Sequence, residues 1–199
     1  MTIADPCVTC IINQSLRVAD AIDADAALTQ QLYDYVREAS KNFDFTRSPP
    51  EVAAEVYETM ARLASKDDLY ADVKRLSTAK ARQNLPLLHK VLACSDTPFI
   101  TALKIAVAGN VIDLAAAVNF DLDEELESVF HTPFAIDDTA ALQTALYGAS
   151  SLLYIADNAG EHIFDYVAIE TLQRCYPNLH VFYMVRGTPI INDVTLNEA

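Results

Sequence analysis

The chain of 199 residues is long enough for one domain, or for one domain with a small helical addition. Hydrophobic residues make up 52% of it, which is enough for a packed core and argues against disorder. The net charge of −14 argues against nucleic acid as a partner, because phosphate backbones bind basic surfaces. There is no apolar run of membrane-spanning length and no signal-peptide pattern at the N-terminus. We therefore expect no membrane partner and a cytoplasmic location.

The first 150 residues have the apolar spacing of helices. Two helices are predicted at residues 8–27 and 27–43. A third is predicted to begin after Ser48, which forms a capping-box pattern with Glu51. The side chains that this third helix is expected to bury are Val52, Val56, Met60 and Leu63.

A fourth helical segment is predicted over residues 67–93, and Pro86 is expected to kink or restart it. An apolar helix follows at 97–118 and an acidic surface helix at 121–130. Residues 134–137 are expected to form a short strand or a bend before the next helix. The basic residues of the fourth segment fit a solvated face better than a ligand-binding patch; they are Lys74, Arg75, Lys80, Arg82 and Lys90.

Gly109 lies inside the apolar helix, in the segment AGNVID. A glycine there costs about 1 kcal/mol relative to alanine. It therefore indicates either a break in the helix or the close approach of another group at Asn110. The alternative is a glycine that the packing of two helices requires, with Asn110 and Asp113 solvated.

After residue 150 the pattern changes to strands that alternate with helices. A strand is predicted at residues 152–156, which places Asp157 and Asn158 at its carboxyl end, where open α/β sheets bind ligands. Gly160 allows the backbone to approach a ligand closely. Glu161 follows at the start of a helix whose first N–H groups favour an anion.

A second strand is predicted at residues 179–185. If both strands lie parallel in one sheet, Asp157, Asn158 and Asp193 meet at one edge. Two carboxylates and an amide carbonyl form an all-oxygen set that suits Mg²⁺ or Mn²⁺. The alternative is structural: Asp157 as a helix N-cap, Glu161 as a partner of the helix dipole, and residues 192–193 as a plain turn.

The four cysteines include one suggestive pair, Cys7 and Cys10. Three roles stay open for this pair: packing or a family scaffold, a reversible redox pair, or metal binding. Cys94 and Cys175 are expected to be buried and to behave as small apolar residues.

Four segments together resemble the damage-control phosphatase family, also called domain of unknown function 89. They are CVTC with the following INQSLR, then AGNVIDLA, LLYIADNAGEHIFD and VRGTPIINDVT. The CxxC pattern is similar to the microbial branch of that family. The resemblance implies an α/β fold, with a helical N-terminal region packed on a Rossmann-like α/β/α sandwich. We expect domains at residues 1–95 and 96–199.

The resemblance also implies a divalent-metal-dependent phosphatase acting on small phosphorylated metabolites, such as sugar phosphates or damaged metabolites. The expected partner is therefore a small phosphate ester, and the expected cofactor is Mn²⁺, Co²⁺, Ni²⁺ or Mg²⁺. Family members usually continue past the NDVT segment with further strands and a lysine–glycine motif, so the chain is expected to lack that C-terminal part and to form an incomplete sheet.

The family's site residues fall on positions of this sequence in three groups. Metal ligands are Asp157, Asn158 and Asp193, and catalytic residues are Asp157, Glu161 and Asp193. For substrate binding, Asn110 and Asp113 match the family's GNxID segment. Gly160 and Arg186 are added to the expected substrate-binding residues from the sequence itself, and a plain surface position is the alternative for Arg186.

Two other functions fit parts of the pattern. One is a non-catalytic nucleotide or cofactor binder with Rossmann-like topology, against which no G-x-G-x-x-G follows a strand. The other is an inactive fragment that acts as an interaction module through its acidic helices.

Overall fold

The computed structural model describes residues 2–115 and 128–199, and of residues 111–115 it describes the backbone alone. None of the described helices is both long enough and apolar enough to cross a lipid bilayer.

The described chain divides into two compact units. The helical unit comprises Met1–Val73 with Thr188–Asn192, and the α/β unit comprises Lys74–Gly187 with Asp193–Ala199. The predicted domain division after residue 95 stays a prediction.

Three helices and a 3-10 turn build the helical unit: α1 (Asp5–Ala21), α2 (Ala26–Ala39), the turn Ser40–Asn42, and α3 (Pro49–Ala64). The two predicted helices at its start are both present, but the break between them comes earlier. The chain turns at Asp23, whose φ is +51°, and Asp25 then caps α2 by accepting the backbone N–H of Leu28 at 2.8 Å.

Helix α3 begins as the capping pattern predicts. The Glu51 carboxylate accepts hydrogen bonds from the backbone N–H and the hydroxyl of Ser48, at 2.8 and 2.6 Å. Of the four apolar residues predicted to face the core, three are buried and Leu63 is half-buried. Ile190 and Ile191 pack against the same core, which is why residues 188–192 belong to this unit.

The elements of the α/β unit are mostly helices: α4 (Ala71–Gln83), which begins just before the boundary of the unit, α5 (Leu85–Ala93), α6 (Pro98–Ala115), α7 (Thr139–Gly148), β1 (Ser151–Ile155), α8 (Glu161–Cys175) and β2 (His180–Met184). Pro86 restarts the helix, as predicted, because it stands in the first turn of α5. Residues 134–137 form a bend. The predicted acidic helix at 121–130 lies largely outside the described residues.

The basic residues of α4 and α5 correct one prediction. Arg75, Lys80, Arg82 and Lys90 are exposed, but only 1% of the Lys74 side chain is accessible. This residue points inward, where its Nζ lies 3.8 Å from Glu198 Oε1. The interpretation of a solvated face is therefore wrong for Lys74.

Strands β1 and β2 pair in parallel, with α8 as the crossover between them. Side chains on one face turn toward α8: Leu152, Tyr154, Val181 and Tyr183. The other face leaves four large apolar side chains 50–69% exposed, namely Leu153, Ile155, Phe182 and Met184. The α/β class with a parallel sheet is confirmed, and a three-layer sandwich stays a prediction.

Helix α6 packs along α8 and continues through Gly109 without a break. A Cβ added at Gly109 would lie 3.0 Å from the Cβ of Phe164 in α8. The structure shows no break and confirms the helix-packing interpretation of Gly109, with Asn110 exposed; the expected solvation of Asp113 falls on a side chain outside the described residues.

Candidate functional site

The segment after β1 turns sharply at Gly160, whose φ is +103°. That backbone conformation is one that side chains rarely permit, and it lets α8 start at Glu161. Gly160 occupies the N-cap position, so the alternative that Asp157 caps this helix is wrong. Glu161 does lie in the first turn, as that alternative expected. Asp157 is exposed.

Two neighbours hold this turn in place. A Cβ added at Gly160 would lie 3.2 Å from the Cβ of Ser77 in α4. The Gly160 N–H donates a hydrogen bond of 3.0 Å to Nδ1 of His162. Burial lowers the pKa of His162, which favours the neutral ring that this bond requires. Its buried Nε2 finds no hydrogen-bond partner among the described residues.

The segments after β1 and β2 are joined by backbone contacts. The N–H of Val194 donates to the C=O of Asp157 at 2.7 Å, and Asn158 forms an antiparallel bridge with Asp193. These contacts place Asp157, Asn158 and Asp193 side by side at the carboxyl ends of the two strands. The bridge also shows that Asp193 is more than part of a plain turn.

The Asn158 side chain is oriented by two carboxylates. Its Nδ2 donates to Asp157 Oδ2 at 3.2 Å and to Glu161 Oε1 at 2.8 Å. Because the amide nitrogen faces these two groups, the amide oxygen faces away from them. Glu161 therefore acts on Asn158 in this structure.

Asp193 is buried and forms an ion pair with Arg186, whose Nε lies 2.6 Å from Asp193 Oδ2. Burial raises the pKa of Asp193, and the nearby charge of Asp157 acts in the same direction. Arg186 and Lys74 oppose that rise in pKa through their positive charges. Arg186, which was predicted to contact the substrate, is thus paired with Asp193, which was predicted to bind the metal.

The chain after Asp193 is fixed by Glu198. Its Oε2 accepts hydrogen bonds from the backbone N–H and the hydroxyl of Thr195, at 2.8 and 2.7 Å. Its Oε1 faces the buried Lys74. Thr195 and Val194 are themselves buried, so the segment that carries Asp193 is firmly anchored in the α/β unit.

Comparison with known proteins identifies the family to which the chain belongs. The model of the damage-control phosphatase ARMT1-like domain matches residues 3–199. The chain belongs to this family. Damage-control phosphatase PH1575 of Pyrococcus horikoshii is 28% identical over 200 residues, which cover all of this chain and 68% of that protein. A damage-control phosphatase of Archaeoglobus fulgidus is 28% identical over 204 residues, covering 100% of this chain and 69% of the relative.

A solved structure supports the fold of this family member. The crystal structure of a DUF89 family protein from Pyrococcus horikoshii superimposes with a TM-score of 0.87 at 27% identity, over 100% of this chain and 69% of that one. The chain thus spans about two thirds of these relatives. Membership of the damage-control phosphatase family supports a hydrolase that acts as a phosphatase on damaged metabolites.

The remaining predicted site residues of this family member lie on α6. The Cβ that would be added at Gly109 lies 3.4 Å from the Cα of Glu161, so this part of α6 runs against the start of α8. Asn110 follows on the helix with an exposed side chain. Asp113 lies in the same helix, and its side chain is outside the described part of the structure. The roles of both stay predictions.

Sequence reasoning missed three buried polar residues near the site: Lys74, His162 and Asp165. Asp165 carried a signal that was available, because it is an acidic residue within the apolar sequence IFDYVA. Its carboxylate accepts hydrogen bonds from the hydroxyls of Tyr154 and Tyr183. Lys74 carried no such signal, since its partner Glu198 lies far along the chain.

All four cysteines are free thiols. Cys7 is half-buried against the core of the helical unit, and Cys10 is exposed. Cys94 and Cys175 are exposed, so their predicted burial is wrong; they stand at the ends of α5 and α8, where the chain meets solvent. Within the described residues, no group of three or more His, Cys, Asp or Glu side chains is arranged to hold a metal.

Proposed function

We propose that this protein is a divalent-metal-dependent phosphatase that hydrolyses small phosphorylated metabolites, such as sugar phosphates or damaged phosphometabolites. The observation that carries the proposal is the meeting of Asp157, Asn158 and Asp193 at the carboxyl ends of two parallel strands. Family membership supports the phosphatase part of it. A cytoplasmic location belongs to the same proposal.

The donor set fits a hard divalent cation. Two carboxylates and an amide supply oxygen ligands, which Mg²⁺ and Mn²⁺ prefer. The two carboxylates also repel one another, because the charge of Asp157 raises the pKa of Asp193. A cation between them would relieve that repulsion. In this structure Asn158 turns its amide nitrogen to Asp157 and Glu161, so the amide has to rotate before its oxygen joins the two carboxylates on a cation.

The proposed roles follow from these contacts. Asp157, Asn158 and Asp193 would hold the cation, whose chemistry is to neutralise phosphate oxygens and orient the ester for in-line attack. Glu161 keeps the Asn158 amide in place. Arg186 holds Asp193, and because its side chain is 53% exposed it would also be able to meet a phosphate group. Gly160 is buried against Ser77 and donates its N–H to His162, so its role here is to permit the turn that begins α8.

The test is release of inorganic phosphate from a panel of phosphomonoesters with Mn²⁺, Co²⁺, Ni²⁺ or Mg²⁺, compared with a metal-free sample. We expect release that depends on the cation, together with a rise in Tm when the cation is added. Asp157→Ala should lose both effects. Asp34→Ala is the matched control, because Asp34 is an exposed aspartate on α2 in the helical unit, and it should behave as the wild type.

Two results would contradict the proposal. Phosphate release that is indifferent to cations, or that survives in Asp157→Ala, would remove the metal site from the reaction. A rise in Tm on cation or nucleotide addition without any phosphate release would favour the non-catalytic binder.

A further inference from the structure

A buried carboxylate lies directly behind the candidate site. Asp165 in α8 is 6% exposed, and each of its oxygens accepts a hydrogen bond from a tyrosine. Tyr154 of β1 donates to Oδ1, and Tyr183 of β2 donates to Oδ2 at 2.9 Å. We call Tyr154, Asp165 and Tyr183 the tyrosine clamp.

The register of the sheet places the clamp at one level across both strands. Tyr154 and Tyr183 are direct partners in the parallel pairing, and their ring centroids are 5.7 Å apart. Tyr154 stands three residues before Asp157, and Tyr183 stands three residues before Arg186. The clamp therefore contacts both strands three residues before a residue of the candidate site, Asp157 on one side and Arg186 on the other.

The clamp also joins the two ends of the segment 155–164, which contains Asp157, Asn158 and Glu161. Asp165 lies four residues after Glu161, so the two carboxylates lie on neighbouring turns of one face of α8. The hydrogen bond between Tyr154 and Asp165 joins the residues on either side of positions 155–164. Asp157 and Asn158 lie within that closed segment.

Burying a charged carboxylate at this position is energetically unfavourable. Burial raises the pKa of Asp165 and the charge of Asp157 acts in the same direction, while the two tyrosine hydroxyls oppose both. Replacing buried charged groups by well-packed apolar ones is often neutral or stabilising. Stability alone therefore does not account for an aspartate here, whereas its directional hydrogen bonds do fix the helix relative to both strands.

We propose that Asp165 is a positioning residue. Through the hydroxyls of Tyr154 and Tyr183 it fixes the start of α8 against both strands, and so keeps Asp157 and the hydrogen-bonded pair Asn158–Glu161 beside Asp193. This inference rests on the proposed phosphatase function for its kinetic consequences, and on the structure alone for its geometric ones.

The test compares Asp165→Asn and Tyr183→Phe with Leu172→Ala. Leu172 is a buried apolar residue of the same helix, outside the clamp, whose truncation lowers stability without touching Asp165. For each variant, kcat and KM for a phosphomonoester with Mn²⁺ are measured, together with Mn²⁺ affinity by calorimetry. Rates are expressed per folded molecule.

We expect Asp165→Asn to lower kcat or Mn²⁺ affinity by about 10- to 100-fold, the usual cost of removing a group that orients metal ligands. KM should change much less. Tyr183→Phe removes one hydrogen bond and keeps the ring, so it should show a smaller loss of the same kind. Leu172→Ala should keep the kcat and Mn²⁺ affinity of the wild type.

A loss in Leu172→Ala equal to that in Asp165→Asn would reduce the clamp to a packing role and overturn the inference. Amide hydrogen exchange of residues 156–164 makes the test independent of activity. Exchange there that accelerates more in Asp165→Asn than in Leu172→Ala supports the clamp, and an acceleration no greater than that in Leu172→Ala refutes it. Wild-type protein that releases no phosphate would instead refute the proposed function.

Discussion

The segments after β1 and β2 bring residues to the same place by different means. After β1, the turn is local: Asn158 is held by Glu161 three residues away, and Gly160 by His162 two residues away. After β2, the paired residues are farther apart in the sequence. Arg186 forms its ion pair with Asp193, and residues 188–192 between them belong to the helical unit.

This difference assigns the two segments different weaknesses. The first depends on a backbone conformation that one glycine permits, so it is vulnerable to any side chain at that position. The second depends on one ion pair to a buried carboxylate and on the anchoring of Thr195 by Glu198. Compared with the segment after β1, we expect the segment after β2 to lose less stability when a glycine is replaced and more stability when a charged side chain is removed.

The largest effect should come from Gly160→Ala. A left-handed conformation costs a residue with a side chain about 1–3 kcal/mol, and the new Cβ would also meet the Cβ of Ser77 at 3.2 Å. We expect a loss of about that size in the free energy of unfolding, measured by urea denaturation, together with loss of cation-dependent stabilisation.

Gly148→Ala is the matched control for this prediction. Gly148 ends α7, its φ is not positive, and an added Cβ would meet nothing within 4 Å. Its substitution should leave stability unchanged or raise it slightly. Equal losses in the two variants would show that the turn at Gly160 is not special.

Arg186→Ala should have the next largest effect, and it tests the segment after β2. It leaves the buried carboxylate of Asp193 without its ion-pair partner, which we expect to cost about 1–2 kcal/mol at neutral pH. The pKa of Asp193 should rise further, so the loss should shrink in acid, where a proton neutralises the carboxyl group.

Arg37→Ala provides the comparison for that experiment, because Arg37 is an exposed arginine of α2 in the helical unit. It should cost less than about 0.5 kcal/mol. A loss for Arg186→Ala that is equally small, or that is the same at every pH, would mean that the ion pair contributes nothing to the segment after β2.

The two segments also show what the sequence was able to predict. An apolar strand followed at once by DNAGE and a helix is local information, so the positions of Asp157, Asn158 and Glu161 followed from it. The convergence of Asp193 on them required one further assumption, parallel pairing, which the structure confirms. The start of α3 after Ser48 and the restart of the helix near Pro86 were predictable for the same local reason.

What was missed depends on contacts distant in the sequence. Lys74 looks like any lysine of a basic helix face until Glu198 is placed beside it. The tyrosine clamp requires both the register of the two strands and the rotation of α8, and no pattern along the chain specifies both. Cys94 and Cys175 were taken as buried on average behaviour, whereas their places at helix ends expose them.

The smallest effect should be a pH dependence of the turn at Gly160. Burial lowers the pKa of His162 below its ordinary value of 6.5, so the unfolded chain binds the proton more readily than the folded chain. The stability that this histidine contributes is therefore complete above about pH 6.5 and is lost as the pH falls through that value toward the lowered pKa. Protonation also places a hydrogen on Nδ1, which then cannot accept the Gly160 N–H.

We expect Tm to fall between pH 7 and pH 5 through this group, which thermal denaturation at the two pH values measures. In His162→Gln the difference in Tm between pH 7 and pH 5 should be smaller, because glutamine does not take up a proton in this range. His131→Gln, at an exposed histidine, should keep the wild-type difference. If both variants keep it, the turn after β1 is fixed by Gly160 and Ser77 without help from the imidazole, and its local character rests on the backbone alone.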